Sequence, residues 1–507
     1  MFDKNCKTNT GYINPNTEGT NTLRALVGAK IYAGDPMMEE KLTKYQLYWK
    51  FYNNQHWNKN NDKLLSFNYV RALIDKVNSF MIGAEGFELN IKDFFGDSIA
   101  PDLETSYEAL LNYNWRSNHK KVFLQRLTQM GSICGNAYVF LVPNIQDGYI
   151  EYRLLDSRVT IPMFDNGDYS RIKGYKSVKQ LGYNDKEYIL HITEYTVGNV
   201  KTYYTKETGE KAEQFEVENV TNSYPFLPIV HIENLPMSDS YGGRSDVEDI
   251  VKINKIYNEM AEDIKMTVDY YAQPTTVITG GTVGQLKRGI NQIWSGLPPD
   301  ANVFNLSLGE DLSASMNFLK LLKDSMHDLS GVPEEVLSKV QHISNTSAAA
   351  LQMLYQSIIQ IADKKSVTYS EGIETINMLT GIMFALSIND HPLLKKLPKD
   401  ARSTDVTTLR QFYFRYRTET IWKYSLPNDR RAQLDEADIE LRNKLASRRE
   451  IMERLGKLNI PKIQAEIRED IEQDIKDQKE LKQAEKQAEG EPTDPEEGNE
   501  QKPPKNA

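Results

Sequence analysis

Cysteine is almost absent. The 507 residues contain two, Cys6 and Cys134, far apart in the chain. That excludes a disulfide scaffold and a cysteine-built zinc site, and it fits a reducing cytoplasm. Long apolar runs are missing too. The most apolar stretch, Met378 to Ile388, is eleven residues long and includes Thr380 and Gly381, against the ~20 that a membrane helix requires. The first residues, Met1-Phe2-Asp3-Lys4-Asn5, open no signal peptide. These absences predict a soluble chain with no membrane partner. Apolar residues make up 39% where ~45–50% is usual for soluble domains, so part of the chain is expected to be extended or disordered. An excess of positive charge is lacking as well: 61 bases face 71 acids, a net of −10. That argues against a uniformly basic surface that coats nucleic acid.

Catalytic patterns are equally scarce. There is no G-x-x-x-x-G-K-[ST] phosphate loop; the nearest approach, Gly280-Gly281 through Gly284 to Lys287, has the wrong spacing. H-E-x-x-H and G-x-S-x-G do not occur. The seven histidines (His56, His119, His191, His231, His327, His342, His391) include no helical i, i+4 pair that would hold a metal. Asp246, Glu248 and Asp249 cluster, as do Glu262 and Asp263. A two-metal nuclease would set such carboxylates in a cleft. Here they fall on one helical pattern, three near its start, where acids favour the helix dipole, and a solvated acidic face is the simpler reading. No cofactor, metal or catalytic residue is implied.

What is present is architecture. Residues 1–35, rich in Asn, Thr and Gly, read as a flexible arm. Leu42, Tyr45, Tyr48, Trp49 and Tyr52 fall at helix spacing, and Val70, Leu73, Ile74, Val77, Phe80 and Met81 form a second stripe. Helices are also predicted from Asp102 to Trp115 and from Lys120 to Ile133. At Asn136 the period changes to two, with turn signals at Asp147-Gly148, Asp165 to Asp168, Gly198-Asn199 and Thr208-Gly209. The pattern predicts one antiparallel meander of about 95 residues, followed by a strand from Ile229 to Ile232. Ser245 and Glu248 have capping-box spacing, with Ser245 accepting from the Glu248 N–H and the Glu248 side chain reaching back. The long helix they open runs from Val247 to Tyr271. Ile250, Ile253, Tyr257, Met260, Ile264, Val268 and Tyr271 make its apolar stripe, and Lys252, Lys255, Glu259, Glu262 and Asp263 its charged side.

Gln273-Pro274 ends that helix. Short strands and turns follow to Ser313, and a helix returns from Ala314 to Leu329. Helix, small β module and returning helix predict a stalk that carries a tip. Ser330-Gly331-Val332-Pro333 stops the second helix, a polar loop follows, and a very long helix runs from Thr346 to about Ser387. Phe412 to Tyr416 alternates and is expected to rejoin the sheet region. Helices follow from Pro427-Asn428-Asp429 to Ser447, from Arg448 to Asn459, and from Ile463 to about Glu489, before a polar, acidic end.

This order resembles the phage portal proteins, and within them the type found in long-tailed phages of Gram-positive bacteria. The residues that carry the resemblance are Tyr52 with Asn68 and Asp75 before Gly83; Gly242 to Asp246 with Tyr257 and Asn258; Ala272-Gln273-Pro274; and Ser330-Gly331-Val332-Pro333 before Thr346-Ser347. The resemblance implies an α+β, mainly helical ring subunit. It implies a wing at 36–238 returning at 388–427, a stem at 239–271 and 314–330, and a clip at 272–313. It also implies a tunnel loop at 331–346, a long kinked helix at 347–387, a crown at 428–489 and a disordered acidic tail at 490–507. It further implies a homo-oligomeric ring of twelve copies at one capsid vertex, a virion component assembled in the host cytoplasm. The implied partners are the terminase large subunit, a head–tail adaptor, the major capsid and scaffold proteins, and double-stranded DNA that slides past without specific contact. Lys339 and His342 are candidate DNA-facing groups of the tunnel loop, and Glu259, Glu262 and Asp263 candidate channel-side acids. The alternatives are a minor head or scaffold-associated virion protein without a channel and, more remotely, a metal-dependent nuclease.

Charge placement fits a conduit. Residues 465–507 hold fourteen acids and seven bases, a net of −7, so the other residues carry 57 acids and 54 bases, a net of −3. The stretch from Val247 to Tyr271 has six acids and three lysines. An acidic face repels phosphates, which suits passage of DNA and not capture.

Overall fold

The computed structural model describes residues 36–55, 65–83, 86–93, 101–165, 168–184, 187–208, 211–222, 224–238, 241–272, 276–280, 299–305, 312–337, 348–386, 416–424, 430–454 and most positions from 463 to 479. The arm at 1–35 and the tail at 490–507 lie outside these residues. The chain divides into two units, Met1–Leu426 and Pro427–Ala507.

The first unit opens with helix α1 (Pro36–Tyr52) and helix α2 (Tyr69–Ile82). Asn68 caps α2 by accepting the Arg71 N–H at 3.0 Å, and Gly83 ends it at φ +61°. Its predicted stripe, from Val70 to Met81, is buried throughout. Strand β1 (Phe87–Asp93), helix α3 (Pro101–Ser117) and helix α4 (Lys120–Cys134) follow. The core centres on Trp115. Phe87, Phe123 and Tyr152 pack edge-on or tilted around its ring at 4.8 to 5.9 Å, geometries that the aromatic quadrupole favours.

The strands are β2 (Asn136–Asn144), β3 (Tyr149–Leu155), β4 (Thr160–Asp165), β5 (Asp168–Asn184), β6 (Glu187–Thr196), β7 (Asn199–Thr208), β8 (Lys211–Thr221) and β9 (Ile229–Glu233). They do not make the single meander expected. They form two antiparallel sheets, in order β3-β2-β9 and β4-β5-β6-β7-β8. The break falls after β3, where Ser157 Oγ donates to the Asn136 carbonyl at 2.7 Å and turns the chain out of the first sheet. Insertion of β9 beside β2 then closes that sheet with a strand from about 90 residues downstream.

Helix α5 (Val251–Ala272) and helix α6 (Ser313–Ser330) pack on each other. Between them Thr276–Thr279 (β10) pairs antiparallel with Asn302–Asn305 (β11), the predicted tip. A short helix α7 (Glu334–Leu337) precedes α8 (Ala348–Leu386), which is helical at all 39 residues, roughly 58 Å at 1.5 Å per residue. Strand β12 (Tyr416–Trp422) pairs with β1 as a separate two-stranded sheet. The return of the chain was therefore correctly expected, but its partner is β1 and not the meander, and residues 412–415 lie outside the described set. In the second unit helices α9 (Arg430–Arg442) and α10 (Arg448–Arg454) are shorter than the patterns predicted. Lys444 turns left-handed at φ +57° and stops the first of them.

Candidate functional site at the root and flank of the α5–α6 pair

Gly242 to Asp246 lies against the end of α4 and the start of β2. The approach is close: a Cβ on Gly243 would stand 2.6 Å from the Gly135 carbonyl oxygen, and Gly242 has φ +84°. Only glycine permits that contact and that backbone. Asp246 N–H donates to the Ser132 carbonyl at 2.9 Å, and Gly243 N–H to Asn136 Oδ1 at 3.0 Å. Ser245 acts differently from the expected capping box. Its hydroxyl donates to the Ile133 carbonyl at 2.6 Å and accepts the Val247 N–H at 3.0 Å, not that of Glu248. The Glu248 side chain meets Lys44 at 3.6 Å. With Ser245 serving the end of α4, residues 246–250 form turns and α5 begins at Val251.

Directly beneath lies a buried polar knot. Lys365 of α8, fully buried, donates to Asp246 Oδ2 at 2.6 Å, Ser132 Oγ at 2.6 Å and Asn78 Oδ1 at 3.2 Å. Asp246 Oδ1 accepts from Asn234 Nδ2 at 2.6 Å, and Asn234 Oδ1 accepts from the Tyr369 hydroxyl at 3.1 Å. Burial pushes the Tyr369 hydroxyl well above its ordinary pKa. Five chain segments meet here: α2, α4, the end of β9, the loop before α5, and α8. A buried lysine is tolerated because all three of its ammonium protons find acceptors, one of them a carboxylate. Beside this knot His231 is sandwiched between Tyr138 and Tyr241, at 4.8 and 4.9 Å. Its Nε2 lies 2.7 Å from Asn136 Oδ1 and its Nδ1 3.2 Å from the Tyr241 hydroxyl. An amide oxygen can only accept, so Nε2 carries the proton. Burial, helped by Lys41, pushes the ring pKa down to about 3 and keeps it neutral.

The flank of α5 differs from its predicted pattern. Its buried face holds Val251, Asn254, Tyr257, Asn258, Ala261 and Glu262, while Val268 of the expected apolar stripe is 48% exposed. Asn254, Asn258 and Glu262 stand one helical turn apart. They accept the backbone N–H groups of Tyr69, Phe67 and Leu65 at 3.2, 2.7 and 2.8 Å. Asn258 Nδ2 also donates back to the Phe67 carbonyl at 3.1 Å. Two residues of extended chain advance about 6.7 Å and four of helix about 6 Å, so every second N–H meets every fourth side chain. Glu262 is thus a strap anchor, not a free channel-side acid. The Leu65 N–H, aided by Lys265 at 3.1 Å, holds its carboxyl below the usual range. Glu259 and Asp263 are exposed as predicted, with Lys255 3.7 Å from Glu259.

On α6 only Leu322, Met326 and His327 are buried. His327 Nδ1 bonds the Val332 carbonyl at 2.8 Å, and Gly331 ends the helix at φ +63°. Lys323 pairs with Glu334 of α7. These contacts fix the exit of the chain through Ser330-Gly331-Val332-Pro333. Lys339 and His342 lie beyond it, outside the described residues. Ile256, Met266 and Val268 of α5 and Met316, Phe318 and Leu321 of α6 are 40 to 58% exposed. The helix pair therefore leaves much apolar surface uncovered by its own chain. Among the described residues no group of three or more His, Cys, Asp or Glu side chains could hold a metal. No described helix is long and apolar enough to cross a membrane.

A family model described as phage portal protein, SPP1 Gp6-like, matches residues 25–491. No curated protein matches the chain. Among solved structures, the chain is similar to one in the neck of an empty GTA particle computed with C6 symmetry, at 13% identity and a TM-score of 0.39. It is also similar to one in the virion of a native gene transfer agent particle and one in the neck of the native particle computed with C12 symmetry, each at 12% identity and a TM-score of 0.37. Each similarity covers 76% of this chain and 89% of the other. With nearly its whole length matched, the chain belongs to the SPP1 Gp6-like phage portal family, structural virion proteins that form the ring through which DNA passes.

Proposed function

We propose that twelve copies of this chain form the portal ring, with α5 and α6 as the stem around the channel and the β10–β11 module as the clip. Family membership over residues 25–491 carries this reading, and the exposed apolar residues of α5 and α6 support it. Such a surface on a monomer marks an interface, and repetition of one head-to-tail contact closes a ring. The wing would be 36–238 with 388–427, the tunnel loop 331–346, and the crown 428–489. The clip would dock the terminase large subunit during packaging and the head–tail adaptor afterwards. The major capsid and scaffold proteins would surround the wing, in a long-tailed phage of a Gram-positive host whose cytoplasm is the site of assembly. Glu259 and Asp263, exposed and acidic, suit the channel side. Lys339 and His342 are assigned to the DNA-facing loop. Double-stranded DNA would slide past with weak contact.

Electron microscopy of the purified protein is the test. Closed rings with a hole wide enough for duplex DNA are expected. A monomer under all conditions, by microscopy and native mass, would overturn the reading.

A further inference from the structure

The second unit leaves two apolar rows uncovered. On α9 and the turn after it, Leu434, Leu441 and Leu445 are 50, 37 and 75% exposed. They are spaced seven and four residues apart and so share one side of the helix. Farther on, every described residue between 463 and 479 is helical, and isoleucine recurs every fourth position: Ile463, Ile467, Ile471 and Ile475. Ile471 and Ile475 are 44 and 47% exposed. A period of four exceeds the 3.6 of the helix, so this row winds slowly round its helix and suits a partner crossing at an angle. The two rows match in length. Leu434 to Leu445 rises about 16 Å and Ile463 to Ile475 about 18 Å, at 1.5 Å per residue.

Their charges are opposite. Residues 441–457 carry six bases and two acids, a net of +4, and residues 463–479 carry six acids and three bases, a net of −3. Two copies of the isoleucine row would repel each other through their acids, and so would two copies of the basic stretch. Pairing one row with the other satisfies both the apolar surface and the charge. Within one chain the rows stay exposed, so the cover must come from elsewhere.

We propose that the isoleucine row of one copy packs on the Leu434–Leu441–Leu445 row of the next, a head-to-tail contact between neighbouring second units. It rests on the ring reading above. Unlike a two-fold contact, it joins different surfaces on the two copies, which is what a ring requires. Acidic residues flanking isoleucine and basic residues flanking leucine would set its direction and register.

Disulfide trapping in the full-length ring tests it. Two single-substitution proteins, Leu445→Cys and Ile471→Cys, each with Cys6→Ser, are co-expressed and mildly oxidised; Cys134 is buried and unreactive. The expected result is a covalent dimer in mixed rings and none in rings of either protein alone. Intact rings by native mass without that dimer would overturn the proposal and leave the ring reading standing. So would a chain carrying both substitutions that closes the bond within itself. If only monomers are found, both fall. As a second measurement, Ile471→Asp with Ile475→Asp should raise amide hydrogen exchange across 434–445 at least tenfold in rings of unchanged mass; unchanged exchange would count against the contact.

Discussion

Helices α5 and α8 are the two long helices flanking the Lys365 knot, and they end in opposite circumstances. From Tyr355 to Ala385, α8 is buried at every turn by its own chain. Helix α5 is covered only as far as Glu262; from Asp263 to Tyr271 no residue is fully buried. The first helix is completed within one chain. The second is completed only by neighbours. Damage to the knot should therefore act on folding of the subunit, and damage to the outer stalk on assembly.

The largest expected effect is on the uncovered side. Phe318→Asp with Leu321→Asp should abolish rings in native mass measurements while shifting subunit stability by no more than about 0.5 kcal/mol, the usual range for exposed sites. Loss of folding instead would show that these residues already serve the subunit's own core. Next comes the knot. Lys365→Met leaves the Asp246 carboxylate without its cation and should cost about 3 kcal/mol or more in urea unfolding. Adding Asp246→Asn should return part of that loss, since both partners of the pair are then neutral.

A third test uses pH. His231 is neutral in the fold, with its pKa at about 3, whereas the unfolded ring titrates near 6.5. Below about pH 6.5 the unfolded chain binds a proton that the fold refuses. Stability is thus fully present above that value and falls by about 1.4 kcal/mol per pH unit down to about pH 3. His231→Phe should remove this slope, and unfolding curves at pH 6, 5 and 4 would read it. The smallest effect is expected at the strap. Asn258→Ala unpairs the Phe67 N–H and carbonyl and should cost about 1–2 kcal/mol. Protease cleavage near residue 65 should rise in step; unchanged cleavage would mean that the strap is held by other contacts.

Much of the fold was legible in the sequence because its signals are local. The stripe from Val70 to Met81 repeats with the helix and is buried as expected. The change of period at Asn136 marks the start of β2, and Gln273-Pro274 follows the last residue of α5. Ser245 and Glu248 have capping spacing, yet Ser245 serves the carbonyls of α4, more than a hundred residues away. Glu262 looked like one more acid on a charged side because nothing near it in the chain reveals the Leu65 N–H. Residue spacing reports which face of an element a side chain shares, but not what stands opposite.

The sequence by itself determined the elements, their order, and the family layout that they resemble. It also determined that catalytic motifs are missing and that most of the excess acidity lies after residue 464. Only the tertiary structure decided that the strands split into two sheets, that β12 joins β1, and that Lys365 is the buried centre of five segments. It alone distinguished Glu262, tied to backbone, from Glu259 and Asp263, which are open to solvent. The physical reason is range. Periodicity and turn chemistry act over a few residues, whereas the satisfaction of a buried charge or N–H depends on partners that only the folded chain brings within about 3 Å.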